Sequence, residues 1–388
     1  MTLDELVAVH QRELYLPDPY PLIVVAASYA SSRLPGDAVW TMLVGPPSSG
    51  KTEILNGLVG LPEVFMLHKI TVAGLLNHRS AAIGGGAGGL LAELVASGHA
   101  RDGVVVSKDF TSILSAASET RAEVLAAFRE IYDESWTRRL GTGGGAPIIW
   151  EGRITFIGAV TEIIDGRGED MAQMGHRFIL CRMPVLDAVD RRVLGEHALA
   201  KAGSEEVLRR KLSRAFRSFA KSLPATATAT GIETEARERL VALADFATRC
   251  RSSVGRGGYR RELEYLAEPE APSRVVTQLG QLYRSFRLCG LSLENSLEYV
   301  ETVAKDMVPP DRLRVLELFV AKKGALSSAY VAGVTRLPTS SIDRVLEDLT
   351  MLSVLRQCDD STYRFEMTRW LKSFTSQIEL NSSTAAQP

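Results

Sequence analysis

Cysteine is scarce in this chain. Its 388 residues hold four, Cys181, Cys250, Cys289 and Cys358, and no two make a CxxC pair. Neither a disulfide framework nor a zinc site is therefore expected, and reduced thiols in a cytosol are the simple expectation. Histidine is equally sparse: His10, His68, His78, His99, His176 and His197 include no pair at ligand spacing. Long apolar runs are missing too. The most hydrophobic early stretch, Pro21 to Ala27, is too short to span a bilayer. The amino terminus, MTLDELVAVHQREL, is acidic and polar, unlike a signal peptide. A soluble, cytoplasmic protein is expected. Net charge is nearly absent, because 45 Lys and Arg face 46 Asp and Glu. That excludes a uniformly basic nucleic-acid binder, but not a local basic face or a ring with a basic channel. No repeat of fixed period, nucleophile elbow, Ser-His-Asp or Cys-His constellation is visible.

What remains is ordinary globular composition, 45% hydrophobic and 23% charged, in a length that suits two or three domains. Residues 1–36 read as helix, loop and helix. Val39 to Val44 is a short apolar run bounded by Gly-Asp and Gly-Pro-Pro, which predicts a buried strand followed by a helix from Lys51 to about Leu58. Further strands are expected at Phe65–Val72, Val104–Ser107, Ile154–Val160 and Phe178–Met183, alternating with helices. Such alternation implies an α/β core over 37–184, a parallel sheet sandwiched by helices. Residues 185–305 read as nearly all helical, broken at RSSVGRGGYRR and AEPEAPS. Val308-Pro309-Pro310-Asp311 punctuates the chain before a compact segment, 308–372, and a Ser/Thr/Ala/Gln tail within 373–388.

The strongest motif is GPPSSGKT: Gly45, Pro46, Pro47, Ser48, Ser49, Gly50, Lys51 and Thr52. It fits G-x-x-x-x-G-K-[ST] and lies between an apolar strand and a helical pattern, the context a phosphate-binding loop requires. Glycines let backbone N–H groups turn inward around phosphates, and the helix start adds partial positive charge. Lys51 is expected on the β- and γ-phosphates of ATP, and the Thr52 hydroxyl on Mg²⁺. A second glycine-rich stretch, IGGGAGG at 83–89, follows a helical pattern and reads as a loop or hairpin tip, not a dinucleotide fingerprint.

Hydrolysis needs an acid at a neighbouring strand end, and GVVVSKDF offers Asp109. From here the order of segments resembles the AAA+ ATPases, and within them the MCM-type helicase module. Where that family has an apolar strand followed by Asp-Glu-Phe, this chain has Lys108-Asp109-Phe110. A helix from about Glu119 to Tyr132 follows, then a hairpin over Ser135 to Glu151 with Gly141 to Gly145 at its tip. ITFIGAV with Thr161 matches the sensor-1 strand. His176-Arg177-Phe178 matches the arginine-finger element, with Arg167 as the other candidate, and Arg274 matches the second sensor arginine. The resemblance implies an AAA+ core, an all-helical lid over 185–305, a finger acting in trans, and therefore a ring or spiral homo-oligomer. It implies a helicase, a translocase or a replication-type remodelling ATPase. One departure stands out: Lys108 occupies the place of the Mg²⁺-linked acid. Asp109 then performs both jobs, or the strand register is shifted by one, or ATP serves as a structural switch with little turnover in a regulatory or loader protein. A motor acting on proteins is a further reading.

The carboxy-terminal segment reads as helix (Asp311–Lys322), helix (Ser327–Val334), a third helix lined by Ile342, Val345, Leu346 and Leu349, and two strands around Asp359-Asp360-Ser361. That order is the winged-helix pattern, which serves DNA or protein partners. Its third helix carries Arg344 but also Asp343, Glu347 and Asp348, which weakens phosphate contact. Arg336, Ser340, Ser341, Arg356 and Arg364 remain possible backbone contacts. The hairpin offers Trp136 as a stacking ring, with Arg138 and Arg139 for phosphates, unless Trp136 packs beneath the hairpin as core.

Overall fold

The computed structural model describes residues 1–68, 70–75, 77–79, 86–138, 148–228, 231–257, 262–265, 268–359 and 364–377. The chain forms two compact units, Met1–Ile232 with Gly280–Tyr299, and Glu233–Leu279 with Val300–Pro388. The stretch 185–305, expected as one helical lid, is thus shared between them.

The first unit begins with α1 (Leu3–Glu13) and α2 (Tyr20–Ser31), then β1 (Trp40–Val44), α3 (Lys51–Asn56) and β2 (Val64–Met66). It continues through α4 (Val72–Leu75), β3 (Asn77–Arg79), β4 (Gly86–Gly88), α5 (Leu90–Ala96), β5 (Val104–Ser107), α6 (Thr111–Leu114) and α7 (Ser118–Tyr132). Then come β6 (Ser135–Arg138), β7 (Ile148–Glu151), β8 (Thr155–Val160), α8 (Gly168–Gln173), β9 (Ile179–Arg182), α9 (Ala188–Lys201) and α10 (Glu205–Ser222). Five strands make one parallel sheet in the order β2-β5-β8-β1-β9.

Strand alternation divides this sheet into two covered faces. Trp40, Met42 and Val44 share the core cluster with Phe128 of α7, and Trp40 meets Phe128 edge-on at 5.7 Å. The opposite face carries Thr41, whose hydroxyl lies 2.6 Å from that of Ser28 on α2. Every residue of α2 is buried, as a helix apolar all round must be. The α/β layering read from the sequence is therefore present, with helices on both faces.

One strand expectation is corrected. The run Phe65–Val72 is extended only over Val64–Met66, and Val72–Leu75 is helical. The Thr71 hydroxyl accepts the Gly74 N–H at 3.0 Å, a local cap that turns the chain into α4. The glycine-rich stretch closes an antiparallel pair, Asn77 opposite Gly88, whose tip at 80–85 lies outside the described residues. Among the described residues, no helix is long and apolar enough to cross a membrane.

The second unit contains α11 (Thr234–Arg251) and the hairpin β10 (Gly255–Gly257) and β11 (Glu262–Tyr265), which falls on the RSSVGRGGYRR interruption. Helix α12 (Ser273–Leu288) starts in this unit and belongs to the first from Gly280, and α13 (Leu293–Asp306) belongs to the first through Tyr299 and to the second thereafter. The segment after Pro309 folds as α14 (Pro310–Lys322), β12 (Leu326–Ser327), α15 (Ser328–Thr335), α16 (Thr339–Met351), β13 (Leu355–Gln357), β14 (Arg364–Met367) and α17 (Arg369–Gln377). Its strands pair antiparallel in the order β12-β14-β13. Ile342, Leu346 and Leu349 are buried, with Val345 half-buried beside them. The Arg312 guanidinium donates to the carbonyls of Cys250 and Ser252 at 2.9 and 2.7 Å and to Asp348 at 2.9 Å. Most of the expected tail, from 378 onward, lies outside the described residues, while 373–377 belong to α17.

Candidate functional site

At the end of β1 the chain turns through 45–50 into α3. The Gly45 N–H donates to Val160 O at 3.2 Å, and the Met183 N–H donates to Val44 O at 2.7 Å, so the loop leaves the sheet pinned between β8 and β9. A Cβ on Gly45 would stand 2.8 Å from the Met183 side chain, so only glycine fits there. Gly50 has φ +88°, the left-handed region where glycine is unstrained, and Ser48 shares that region at φ +63°. Pro46, Pro47 and Ser48 are exposed, and Ser49 and Gly50 are half-buried.

Lys51 is only 8% exposed. Its Nζ donates to the carbonyls of Gly45 and Pro46, both at 2.7 Å, and to the Ser49 hydroxyl at 3.2 Å. Three donors meeting three oxygens fix a positive charge at the inner face of the loop. Burial holds the ammonium pKa below the usual lysine range, and nearby Glu162 opposes that shift. Thr52 is exposed.

Beside the loop lies a cleft of about 360 Å³, floored by Ser48 to Glu53. One wall is the end of α1, Glu13 to Tyr15, and the other is α9 and α10 with Leu194, His197, Ala198, Lys201 and Leu208. The Tyr15 hydroxyl donates to Asp190 at 2.6 Å and joins the two walls. The Glu13 carboxylate receives Lys201 at 3.1 Å and Lys211 at 2.9 Å. These ammonium groups, Lys211 first, hold it below the usual carboxylate range against its desolvation. The sequence reading missed these walls. The Asp187–Asp190 capping box that starts α9 is a visible signal of a helix, but nothing in the sequence ties it to Tyr15.

The sheet order brings the other candidates near the loop without placing them in the cleft. β8 lies between β1 and β5, so Thr161 is one strand and Asp109 two strands from Gly45, at about 4.8 Å per strand. The Phe110 N–H donates to Ala159 O at 2.8 Å, and the Thr161 N–H to the Thr111 hydroxyl at 3.0 Å. Asp109 is exposed, and its carboxylate accepts the Ser112 N–H at 3.3 Å. Lys108 is half-buried and lines a neighbouring groove with Asn56, Val59 and α10.

The remaining candidates are elsewhere. Arg177 is 5% exposed, and its Nη2 donates to both oxygens of the Asp133 carboxylate, at 2.9 and 2.6 Å. Its guanidinium also lies 5.4 Å from the Tyr132 ring centroid. In this conformation Arg177 joins α7 to the start of β9 instead of projecting from the surface. Arg167 is more open and stands 4.0 Å from Asp170. Arg274 belongs to the second unit, where it pairs with Glu270 at 2.9 Å. Of the two readings of Trp136, the core one holds and the stacking ring does not: it is 6% exposed, opposite Trp150 in the β6–β7 ladder and within the main apolar cluster. An aromatic ring enclosed this way has no free face for a base. Arg138 ends β6, and Arg139 and the tip at 141–145 lie outside the described residues. In the carboxy-terminal segment Arg336 is exposed, whereas Arg356 pairs with Glu366. Among the described residues, no group of three or more His, Cys, Asp or Glu could hold a metal ion.

No protein-family model matches this sequence, and no curated protein matches it.

Proposed function

We propose that the first unit binds ATP with Mg²⁺ on the loop 45–52 and hydrolyses it, as the AAA+ resemblance implies. The carrying observation is a complete G-x-x-x-x-G-K-[ST] loop between a buried parallel strand and a helix, with Lys51 fixed at its inner face. In this reading the Lys51 ammonium exchanges the loop carbonyls for β- and γ-phosphate oxygens. Leu14, Tyr15, Leu194 and Ala198 give the adjoining cleft an apolar wall suited to a nucleobase.

Magnesium is bound by few protein groups and keeps several waters, and the chain offers it one exposed hydroxyl, Thr52, and one exposed carboxylate, Asp109. The Thr52 hydroxyl and the Asp109 carboxylate would hold the ion. Bound there, Mg²⁺ supplies charge neutralisation on the phosphates. Asp109 takes a proton from the attacking water, and Thr161 orients that water. Arg177 acts as the trans finger only after leaving Asp133, so Arg167 is the more accessible alternative.

The chain is read as an AAA+ core with a helical lid and a winged helix, working as a homo-oligomer that remodels or translocates DNA. The α14–α15–α16 helices with the β12-β14-β13 sheet support the winged-helix reading. Assembly is supported by exposed apolar residues around α9, where Val185, Val189 and Leu199 are 95%, 68% and 79% accessible. A second reading, an ATP-gated regulatory or loader protein with little turnover, is favoured by Lys108 in the place of an acid.

The test is ATP turnover with and without single- and double-stranded DNA, alongside light scattering with an ATP analogue. Turnover stimulated by DNA and abolished by Lys51→Ala supports the motor. Tight ATP binding without turnover selects the switch, and a monomer under all conditions removes the trans finger.

A further inference from the structure

We propose that α10 and the end of β5 form a groove that takes the phosphate backbone of a single nucleic-acid strand. The groove has a volume of about 430 Å³ and is lined by Lys108, Arg209, Arg210, Arg214 and Arg217, with Glu206 as its acid. In a chain of net charge -1, α10 alone carries six Lys or Arg against two Glu. Arg210, Arg214, Arg217 and Lys221 recur at intervals of four, three and four residues, which sets them along one helix face. At about 1.5 Å per residue the row spans roughly 16 Å. A fully stacked strand places a phosphate about every 3.4 Å of axis, so the row spans at most about five of them, and an extended strand presents roughly half that number.

The row is held in place. The opposite face of α10 buries Leu208, Leu212, Phe216 and Phe219. Between the arginines, the Ser213 hydroxyl donates to Val59 O at 2.6 Å, and Arg217 donates to Gly60 O at 2.8 Å. Arg210, Arg214 and Arg217 are nonetheless exposed. A guanidinium has five donors, so one bond to a carbonyl leaves most of its fork for phosphate oxygens. The lining favours a strand over other polyanions. Val59 is its single apolar member, so neither the aliphatic face that a membrane surface needs nor the buried anchor pocket of a peptide site is present.

This groove also accounts for the departure at Lys108. An acid there would face four arginines and compete with phosphate; a lysine extends the cationic wall. The groove shares a residue pair with the loop. Arg209 donates to Glu53 at 3.1 and 2.7 Å, and Glu53 directly follows Thr52. A strand phosphate that draws Arg209 away releases Glu53 in the first turn of α3. The coupling rests on the ATP-site reading given above, whereas strand binding does not. By linkage, any effect of the strand on nucleotide affinity is returned equally by nucleotide on strand affinity.

The experiment uses the full chain and fluorescein-labelled oligothymidylate, read by anisotropy between about 50 and 200 mM salt. The expected result is salt-sensitive binding that Arg214→Ala with Arg217→Ala weakens about tenfold or more. The slope of log affinity against log salt becomes shallower by about 1.4, two contacts at roughly 0.7 each for a single strand. Arg210→Ala alone gives a smaller loss, and thermal melts confirm that each variant folds. A fluorescent ATP analogue read on the same proteins separates the two readings. Lys51→Ala loses the nucleotide and keeps the oligonucleotide, while the arginine variants do the reverse. Loss of nucleotide binding in the parent protein would end the ATP reading and leave the groove standing. Unchanged oligonucleotide affinity in the double variant would overturn the groove. So would binding to phosphatidylserine vesicles or polyglutamate with none to oligothymidylate.

Discussion

The Arg209 guanidinium engages both carboxylate oxygens of Glu53, joining α10 to the residue that follows Thr52. The loop 45–52 is thus tied to the sheet at one end, through Gly45 and Val160, and to a surface helix at the other. The sheet end is rigid backbone pairing. The helix end is a charge pair, with Arg209 49% and Glu53 26% accessible, which anions and salt can reach.

An exposed pair of this kind contributes about 0.5 kcal/mol to folding. Arg209→Ala is therefore expected to leave the melting temperature nearly unchanged. Its effect belongs on the nucleotide, as a change of roughly two- to fivefold in ATP-analogue affinity, the size of a coupling of up to about 1 kcal/mol. A large loss of stability with unaltered nucleotide affinity would show that the pair only fastens α10.

Trp136 fills a core position. Trp136→Ala should cost about 3–5 kcal/mol, read as a lower denaturant midpoint. Oligonucleotide affinity measured on the fraction that remains folded should not change. A stable variant that loses affinity would return the ring to the surface.

For Arg177 two expectations differ in kind. Arg177→Ala removes a buried guanidinium, its Asp133 pair and its packing on Tyr132, a loss of about 2 kcal/mol. If the residue is a trans finger, small amounts of the variant will also poison wild-type turnover in mixed assemblies. Linear dilution of activity on mixing, with lowered stability, assigns Arg177 to structure alone.

Local signals carried much of the layout. β1 and β5 are bounded by glycine and charge, so their limits were legible to within a residue, as was the loop between Val44 and Lys51. β2 was not. Its apolar run continues past Met66, and the Thr71–Gly74 cap that turns it into α4 is a weak local signal beside that run. The division of 185–305 was invisible for a different reason. Helical periodicity gives a buried face but not the partner it packs against. The cationic row of α10 was present as spacing, yet a helix with two leading glutamates reads as a solvated face until Lys108 is seen beside it.

Glu13 gives a pH test. Its folded pKa is depressed by Lys211 and Lys201, so its contribution is full above the unfolded carboxylate value of about 4.3. It is lost as pH falls through the lower folded value. Glu13→Gln should lower stability by about 1–2 kcal/mol at pH 7. In thermal melts taken from pH 7 down to pH 3, the gap between parent and variant should narrow only below about pH 4.3. A gap constant over that range would mean that the two lysines do not favour the ionised form.

Asp109 and Lys108 separate motor from switch. If Asp109 is the base, Asp109→Asn keeps the geometry of the β5–α6 turn, because an amide oxygen still accepts the Ser112 N–H. ATP-analogue affinity should then stay within about twofold while turnover falls by 10²–10⁴, the range for removing a positioned general base. Lys108→Asp places a second carboxylate at the end of β5 and takes a cation from the α10 groove. In the motor reading it raises basal turnover and weakens oligothymidylate binding. In the switch reading turnover stays at background in both variants, and only the oligonucleotide affinity responds to Lys108. Rapid-quench measurement of phosphate release decides between them, since it detects a single turnover per site. No phosphate from the parent protein, with ATP bound, would leave Asp109 as a cap on α6.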